Sequence, residues 1–262
     1  MPQIALTRPV SPSINQCELT FMARQPIDVA TAQRQHEAYD AQLSRLGLTV
    51  VRLPALDTLP DAVFVEDTAV VVDEIAVAAY PGARSRQPEV ESTIEALGRW
   101  RRIARLPPGA TLDGGDALRA GHSFLVGTAR RTNRAGVDGL REALAPFGYP
   151  VTAVATRDCL HLKSACSALD SRRLLIHRPW VDTSALKGYE LIDVPAHEAW
   201  AANVLVLGRD LMMPQGFPET REMLELLGFR IHAVELSELL KAESGVTCGS
   251  IIFSGDPALA VA

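Results

Sequence analysis

The sequence predicts an α/β repeat protein made of about five ββαβ units, arranged either as a propeller or as a barrel of modules. Two observations carry this reading. Short β-branched runs alternate with helical stretches, and pairs of those runs recur about every 40–50 residues with a polar turn between them. A doubly wound sheet would alternate single strands with helices and lack the hairpins. No G-x-G-x-x-G opens a helix after the first strand either, so a dinucleotide fold is disfavoured.

The elements follow in order. QIALTR (3–8) reads as a strand, DVATAQRQHEAYDAQLSRLG (28–47) as a helix closed by a glycine, and LTVVRLP (48–54) as a strand. AVFVEDTAVVVDEIAVAAYP (62–81) reads as a strand pair turning at Asp73–Glu74, followed by a helix around 88–101 and the strand WRRIARLP. DALRAGHSFLVGT (116–128) is a hairpin around Ala120–Gly121, with a helix at about 134–147 and the strand YPVTAVAT behind it. HLKSACSALDSRRLLIHRP (161–179) is a pair around Asp170–Ser171, and NVLVLGRDLMMPQ (203–215) a pair around Gly208. The latter leads to the helix PETREMLELLGF and the strand RIHAVEL. The last strand, GVTCGSIIF (245–253), has no hairpin partner downstream, and the N-terminal strand is the candidate that would close a ring.

Composition narrows the function. A chain of 262 residues buries a core without staples. Its four cysteines (Cys17, Cys159, Cys166 and Cys248) include no C-x-x-C pair, so neither a disulfide framework nor a zinc knuckle is written here. Reduced thiols in a cytoplasm are expected. MPQIALTRPV lacks a charged leader with an apolar core, and no 18-residue apolar run occurs, so neither secretion nor a membrane span is expected. A net charge of −5 with no basic tract and 5% aromatics gives a nucleic-acid surface no support. Mild acidity does suit a cationic ligand.

The polar residues share the period. Glu66 and Asp67 interrupt the first hairpin, and Asp113 and Asp116 flank a double glycine at the second. His161 opens the third, Asn203 the fourth, and Cys248 lies in the fifth. The intervals from Glu66 through Asp113, His161 and Asn203 to Cys248 are 47, 48, 42 and 45 residues. Each member alone has an ordinary reading: a packed cysteine, a satisfied histidine, a solvated strand end, a glycine turn. If each unit sends its first strand to a central axis, however, these side chains meet at one end of the ring. A thiolate is the attacking form of cysteine, and a histidine in reach serves as general acid and base. A carboxylate such as Asp113 would orient the imidazole. The remaining carboxylates suit a planar cation, because a guanidinium offers several N–H donors in fixed directions.

PDAVFVEDTAVV (60–71), TLDGGDAL (111–118), RRTN (130–133), LHLKS (160–164) and GVTCGS (245–250) closely resemble the dimethylarginine dimethylaminohydrolases, members of the guanidino-group-modifying, or pentein, superfamily. The matching blocks run in order from residue 4 to residue 253. The resemblance implies one catalytic domain over 1–262, folded as a five-bladed α/β propeller of ββαβ modules with pseudo-fivefold symmetry. It places the nucleophile at Cys248, the general acid/base at His161 and its supporting carboxylate at Asp113. Guanidinium-binding carboxylates fall at Asp61 and Asp67 with Glu66 beside them, and carboxylate-binding arginines at Arg86 and Arg131. A lid leucine falls at Leu19, and a backbone carbonyl that meets the substrate's amino group at Ala242. The implied activity is hydrolysis of N-ω-methylated arginine to citrulline and an amine, through a covalent S-alkylthiouronium. It needs no cofactor and no metal, zinc at Cys248 and His161 being read as inhibitory. The implied partner is the small methylated arginine, bound by a monomer or homodimer. The alternative is a related guanidine hydrolase or deiminase acting on arginine or another guanidine. Three departures bear on this. Gly249 stands where mammalian members carry a second cysteine, Gln87 replaces a usual arginine beside Arg84 and Arg86, and Glu18 sits in the lid segment.

Overall fold

The computed structural model describes residues 2–260. The chain opens with β1 (Gln3–Thr7), α1 (Val29–Arg45) and β2 (Thr49–Arg52). Asp28 starts α1 by accepting the Thr31 N–H, and the turn beyond the helix passes through Gly47 in the left-handed region at φ +90°. Next come the hairpin β3 (Ala69–Val71) and β4 (Ile75–Ala78), helix α2 (Val90–Leu97) and β5 (Arg102–Arg105). The second hairpin, β6 (Ala117–Ala120) and β7 (Ser123–Thr128), precedes α3 (Arg134–Leu144) and β8 (Val151–Ala155). Asn133 caps α3 by accepting the Gly136 N–H.

A single helical turn, α4 (Leu162–Ala165), leads into β9 (Cys166–Ala168), β10 (Arg173–Ile176) and β11 (Glu190–Asp193). Then follow β12 (Leu205–Leu207), β13 (Asp210–Pro214), α5 (Pro218–Leu226), β14 (Arg230–Val234), the short α6 (Ser237–Leu240) and β15 (Ile251–Ser254). They make five three-stranded sheets: β15-β1-β2, β3-β4-β5, β6-β7-β8, β9-β10-β11 and β12-β13-β14. In every sheet the middle strand is antiparallel to the first and parallel to the third. This is the five-bladed α/β propeller.

The ring closes because each middle strand is apolar on both faces. Along a strand successive side chains point to opposite sides. In β1, Ile4 and Leu6 enter the cluster shared with β4 and α2, while Ala5 enters the cluster shared with Met212 of β13 and with α1. In β4, Ala76 and Ala78 face back toward β1, and Ile75 and Val77 face forward to β7 and α3. In β7, Phe124 and Val126 meet β4, and Leu125 meets β10. In β10, Leu174 and Ile176 meet β7, and Leu175 meets Leu211 and Met213 of β13. Five sheets thus share five cores in a circle, and β1 supplies the closing pairs Ile4–Phe253 and Leu6–Ile251. The expected closure of the last unit by the N-terminal strand is what the structure has.

The structure differs from the sequence reading at several places. The expected strand through VFVED is broken by a 3-10 turn at Val65–Thr68, in which the Thr68 hydroxyl donates to the Val65 carbonyl at 2.7 Å. Likewise Cys248 lies in turns before β15 and not in a strand. In the fourth blade the crossover helix is replaced by two 3-10 turns, Arg178–Trp180 and Thr183–Leu186, where Pro179 and the lack of a 3.6-residue period leave no helix to form. The strand β11 that follows was not expected, because its residues ELID are half-exposed and carry no alternation. No helix among the described residues is long and apolar enough to cross a membrane.

Leu6 is fully buried at the closing seam. Leu6→Ala is expected to lower the unfolding free energy by about 2–5 kcal/mol, read from the midpoint of a denaturant titration.

Candidate active site

Five short connectors, one before the first strand of each blade, converge at one end of the axis. They are Val65–Thr68, Gly114–Asp116, α4, the stretch ending at Asn203, and residues 244–250. A turn, unlike a strand, can present neighbouring residues in different directions, and Glu66 and Asp67 use this. The Gly115 N–H donates to Asp67 Oδ1 at 2.9 Å, while Glu66 turns its oxygens to Lys163 Nζ (2.7 Å) and the Thr247 hydroxyl (2.8 Å). Asn203 donates to the Lys163 carbonyl at 2.9 Å and to Thr247 Oγ1 at 3.0 Å, and accepts the Thr247 N–H at 3.1 Å. The Glu66 N–H donates to the Cys248 carbonyl at 3.2 Å. Asn203, the member of the periodic set without an assigned role, therefore ties the fourth connector to the fifth.

His161 is the N-cap position of α4 and is buried. Its Nε2 lies 2.9 Å from Asp113 Oδ2, and its Nδ1 is 3.7 Å from Asp67 Oδ1. Asp113 is fully buried, and its other oxygen accepts the Gly82 N–H at 2.8 Å. An anionic Asp113 makes Nε2 the donating nitrogen, which leaves Nδ1 as the working edge of the ring. Backbone must pass very close to that edge: a Cβ on Gly115 would stand 2.6 Å from Nδ1, and one on Gly114 would meet the Glu66 carbonyl at 2.0 Å. The double glycine thus serves close approach, not a turn of positive φ.

Asp116 is the residue whose part was not legible in the sequence. Its Oδ1 accepts the Leu162 N–H at 2.9 Å, next to His161, and its Oδ2 accepts the Thr132 hydroxyl at 2.6 Å. Thr132 Oγ1 in turn accepts the Asp113 N–H at 3.2 Å. One buried carboxylate thereby sets the backbone of both Asp113 and His161. Burial raises Asp116 to about 6, against the opposing pull of His161 and the Thr132 hydroxyl. Burial pulls the His161 imidazole down, but Asp67, Asp113 and Asp116 outweigh it and raise the ring to about 9. Burial pushes Asp67 up, yet His161 and Arg86 more than offset this and hold it below the ordinary carboxylate range.

Cys248 is half-buried and its Sγ accepts the Gly245 N–H at 3.3 Å. Burial pushes its thiol up, and Glu66 and Asp67 push it further, against weaker opposition from the Gly245 N–H and Lys163. At rest it is a thiol. It shares a small pocket with His161, Asp61, Asp67, Arg131 and the 242–244 backbone.

The expected binding residues divide. Asp61, raised by burial, accepts the Glu18 N–H on both oxygens at 3.1 and 3.3 Å. Arg86 is buried and turned inward: it bonds Asp67 Oδ2 at 2.5 Å, both Glu89 oxygens at 3.2 and 2.8 Å, and the carbonyls of Phe64 and Asp61. Arg131 makes a single long hydrogen bond at 3.4 Å, to Thr20 Oγ1. Leu19 packs half-buried against the α1 core, and the lid residue lining the pocket is its neighbour Glu18. Ala242 lines the pocket. One oxygen each of Asp67 and Asp113 and one His161 nitrogen lie within 4.8 Å of one another, close enough to share a cation. Cys248 is outside that group.

No protein-family model matches the chain. An N(G),N(G)-dimethylarginine dimethylaminohydrolase of Streptomyces coelicolor is 38% identical over 255 residues, 94% of this chain and 95% of that protein. One of Pseudomonas aeruginosa is 32% identical over 228 residues, 86% of this chain and 90% of that protein. The solved structure of a cysteine-to-serine variant from Pseudomonas aeruginosa, in complex with citrulline, matches with a TM-score of 0.91 at 30% identity. That match covers 97% of this chain and 100% of the other.

Asp116→Asn keeps the shape but removes one of the three charges that raise His161. The imidazole is expected to titrate below about 9 in the variant, followed by NMR of the His161 ring. An unmoved titration would remove Asp116 from the electrostatics of the ring.

Proposed function

The chain belongs to the dimethylarginine dimethylaminohydrolase family of the pentein superfamily, and on that footing we propose that it hydrolyses asymmetric dimethylarginine and monomethylarginine to citrulline and dimethylamine or methylamine. The observation that carries the reading is one pocket holding a half-buried thiol, a carboxylate-supported imidazole and buried aspartates, with Arg86 already paired to Asp67 and Arg131 holding only the Thr20 hydroxyl. Residues 1–262 act as a single catalytic domain in this reading, in the cytoplasm, as a monomer or homodimer.

The resting electrostatics make the substrate part of its own activation. A thiol raised by burial and by Glu66 and Asp67 does not ionise unaided. A guanidinium set against Asp67 and Asp61 brings a positive charge to the sulfur and favours the thiolate, the thiol proton leaving to solvent. The thiolate of Cys248 then forms a bond to the guanidinium carbon. As the carbon–nitrogen bond to the methylated nitrogen breaks, the imidazolium of His161 gives its Nδ1 proton to the departing amine. This leaves an S-alkylthiouronium on Cys248. Neutral His161 next takes a proton from water while the water oxygen bonds to the same carbon. The carbon–sulfur bond breaks, the new hydroxyl group gives its proton to solvent, the thiolate returns, and citrulline forms.

Asp113 holds the ring through Nε2 and stabilises its charged form, and Asp116 holds the backbone of both. At the amino-acid end, Arg131 is the guanidinium with little else to hold, and it takes the α-carboxylate. Arg86, with its donors on Asp67 and Glu89, keeps Asp67 charged and in place. The Ala242 carbonyl receives the α-amino group, and Glu66 fixes the turn that carries the nucleophile.

Purified protein is expected to release citrulline from both methylated arginines, with Cys248→Ser slower by more than about a thousandfold. Release from arginine alone would make the protein a deiminase on this frame, and release from none of the three would remove the proposal. The pH profile is expected to fall as pH rises through about 9, where His161 loses the proton the leaving amine needs. A rate still climbing well above that value would take the general acid away from His161.

A further inference from the structure

Residues 18–22 run along the pocket, which Glu18 lines, and are bonded at several points to residues in or beside it. Asp61 accepts the Glu18 N–H, Ser85 Oγ donates to Glu18 Oε1 at 2.5 Å, and Arg131 reaches Thr20 Oγ1. The strongest pin is a different residue. The carboxylate of Glu243 accepts three consecutive backbone N–H groups, from Thr20 at 2.9 and 3.0 Å, from Phe21 at 2.5 Å and from Met22 at 2.5 Å. Three donors converging on one carboxylate form a charge-assisted anchor worth more than a neutral bond. Glu243 is 3% exposed and sits at φ +55°, one of two non-glycine residues among those described with positive φ. A glutamate held in that region is a locally strained choice, kept only where the surroundings impose it.

Its place in the chain couples this anchor to the chemistry. Ala242, whose carbonyl the proposed reaction uses, precedes it. Gly245, whose N–H reaches Cys248 Sγ, follows two residues later. The pins also differ in what a substrate would do to them. Asp61 and Arg131 are the groups a bound amino acid and its guanidinium would claim, so their hold on the loop competes with binding. Glu243 is free of that competition, since its oxygens face the loop's own N–H groups.

We propose that Glu243 is a positioning residue that holds the 18–22 loop over an occupied pocket, and so sets how tightly the substrate is retained. This rests on the hydrolase reading above for its kinetic arm alone. The loop stays closed over the substrate when Asp61 and Arg131 change partners, because Glu243 does not.

The test compares wild type with Glu243→Gln and Glu243→Gly. The glutamine replaces one acceptor oxygen by an NH2 that faces the same N–H groups, and the glycine keeps the positive φ comfortable while removing the side chain and its carboxylate. Amide hydrogen exchange in the ligand-free protein is expected to speed up by about tenfold or more at Thr20, Phe21 and Met22 in both variants, with the β-sheet cores unchanged. With asymmetric dimethylarginine, KM is expected to rise by about tenfold while kcat changes by less than about threefold. Unchanged exchange at 20–22, or a fall in kcat with KM unmoved, overturns the proposal. If wild type releases no citrulline, the hydrolase reading fails and the exchange result alone decides whether Glu243 holds the loop.

Discussion

The structure depends on a closed circuit of buried polar contacts at one end of its axis. Asp67 accepts from Gly115, Asp113 holds His161, Asp116 takes the Leu162 N–H, Asn203 spans Lys163 and Thr247, and Thr247 and Cys248 return to Glu66. Each bond joins one blade to another. Buried polar groups of this kind are costly when half satisfied and specific when complete. The five apolar cores between the sheets would tolerate some sliding of one blade on the next, but the circuit does not. It fixes the rotation of the blades to within the tolerance of a hydrogen bond, and the catalytic constellation is a by-product of that fixing.

Within the circuit, charge is arranged for a ligand that brings its own. The sulfur faces carboxylates and is kept protonated, while those carboxylates keep the imidazole charged. The imidazolium is the form that can give a proton to a leaving amine, but the protonated sulfur does not attack unaided. A planar cation entering between them changes both at once, lowering the thiol and relieving the carboxylates. The same set would bind an anionic electrophile poorly, which is why the pocket's negative character and its nucleophile are one feature.

The fold was legible to the extent that burial writes itself into sequence. Middle strands such as LLI in β10 or LMMP in β13 are apolar on both faces and stand out, and the period between hairpins located the polar residues that meet. What escaped depends on tertiary partners. The strand β11 is a half-exposed edge with no alternation. Whether VED continues a strand or turns is decided by Thr68 bonding its own backbone. Arg86 has the residue type for a carboxylate but is claimed by Glu89 and Asp67, three and nineteen positions away. Glu243 carries no signal in its own neighbourhood, and Asp116 reads as the end of a glycine turn. Only the folded chain brings three lid N–H groups to one and two catalytic backbones to the other.

The blade that Cys248 leads into is also the one in which β1 pairs with β15, residues 3–6 against 251–254. The other four sheets are made from contiguous stretches and can form as the chain lengthens. This one joins the most distant pairings in the molecule and must wait for them, since contacts of high sequence separation form late. Partial chains emerging during synthesis would hold His161, Asp113 and Asp67 but no positioned thiol. The order of assembly therefore brings Cys248 beside His161 last, a consequence of where the ring is joined and not of any residue within it.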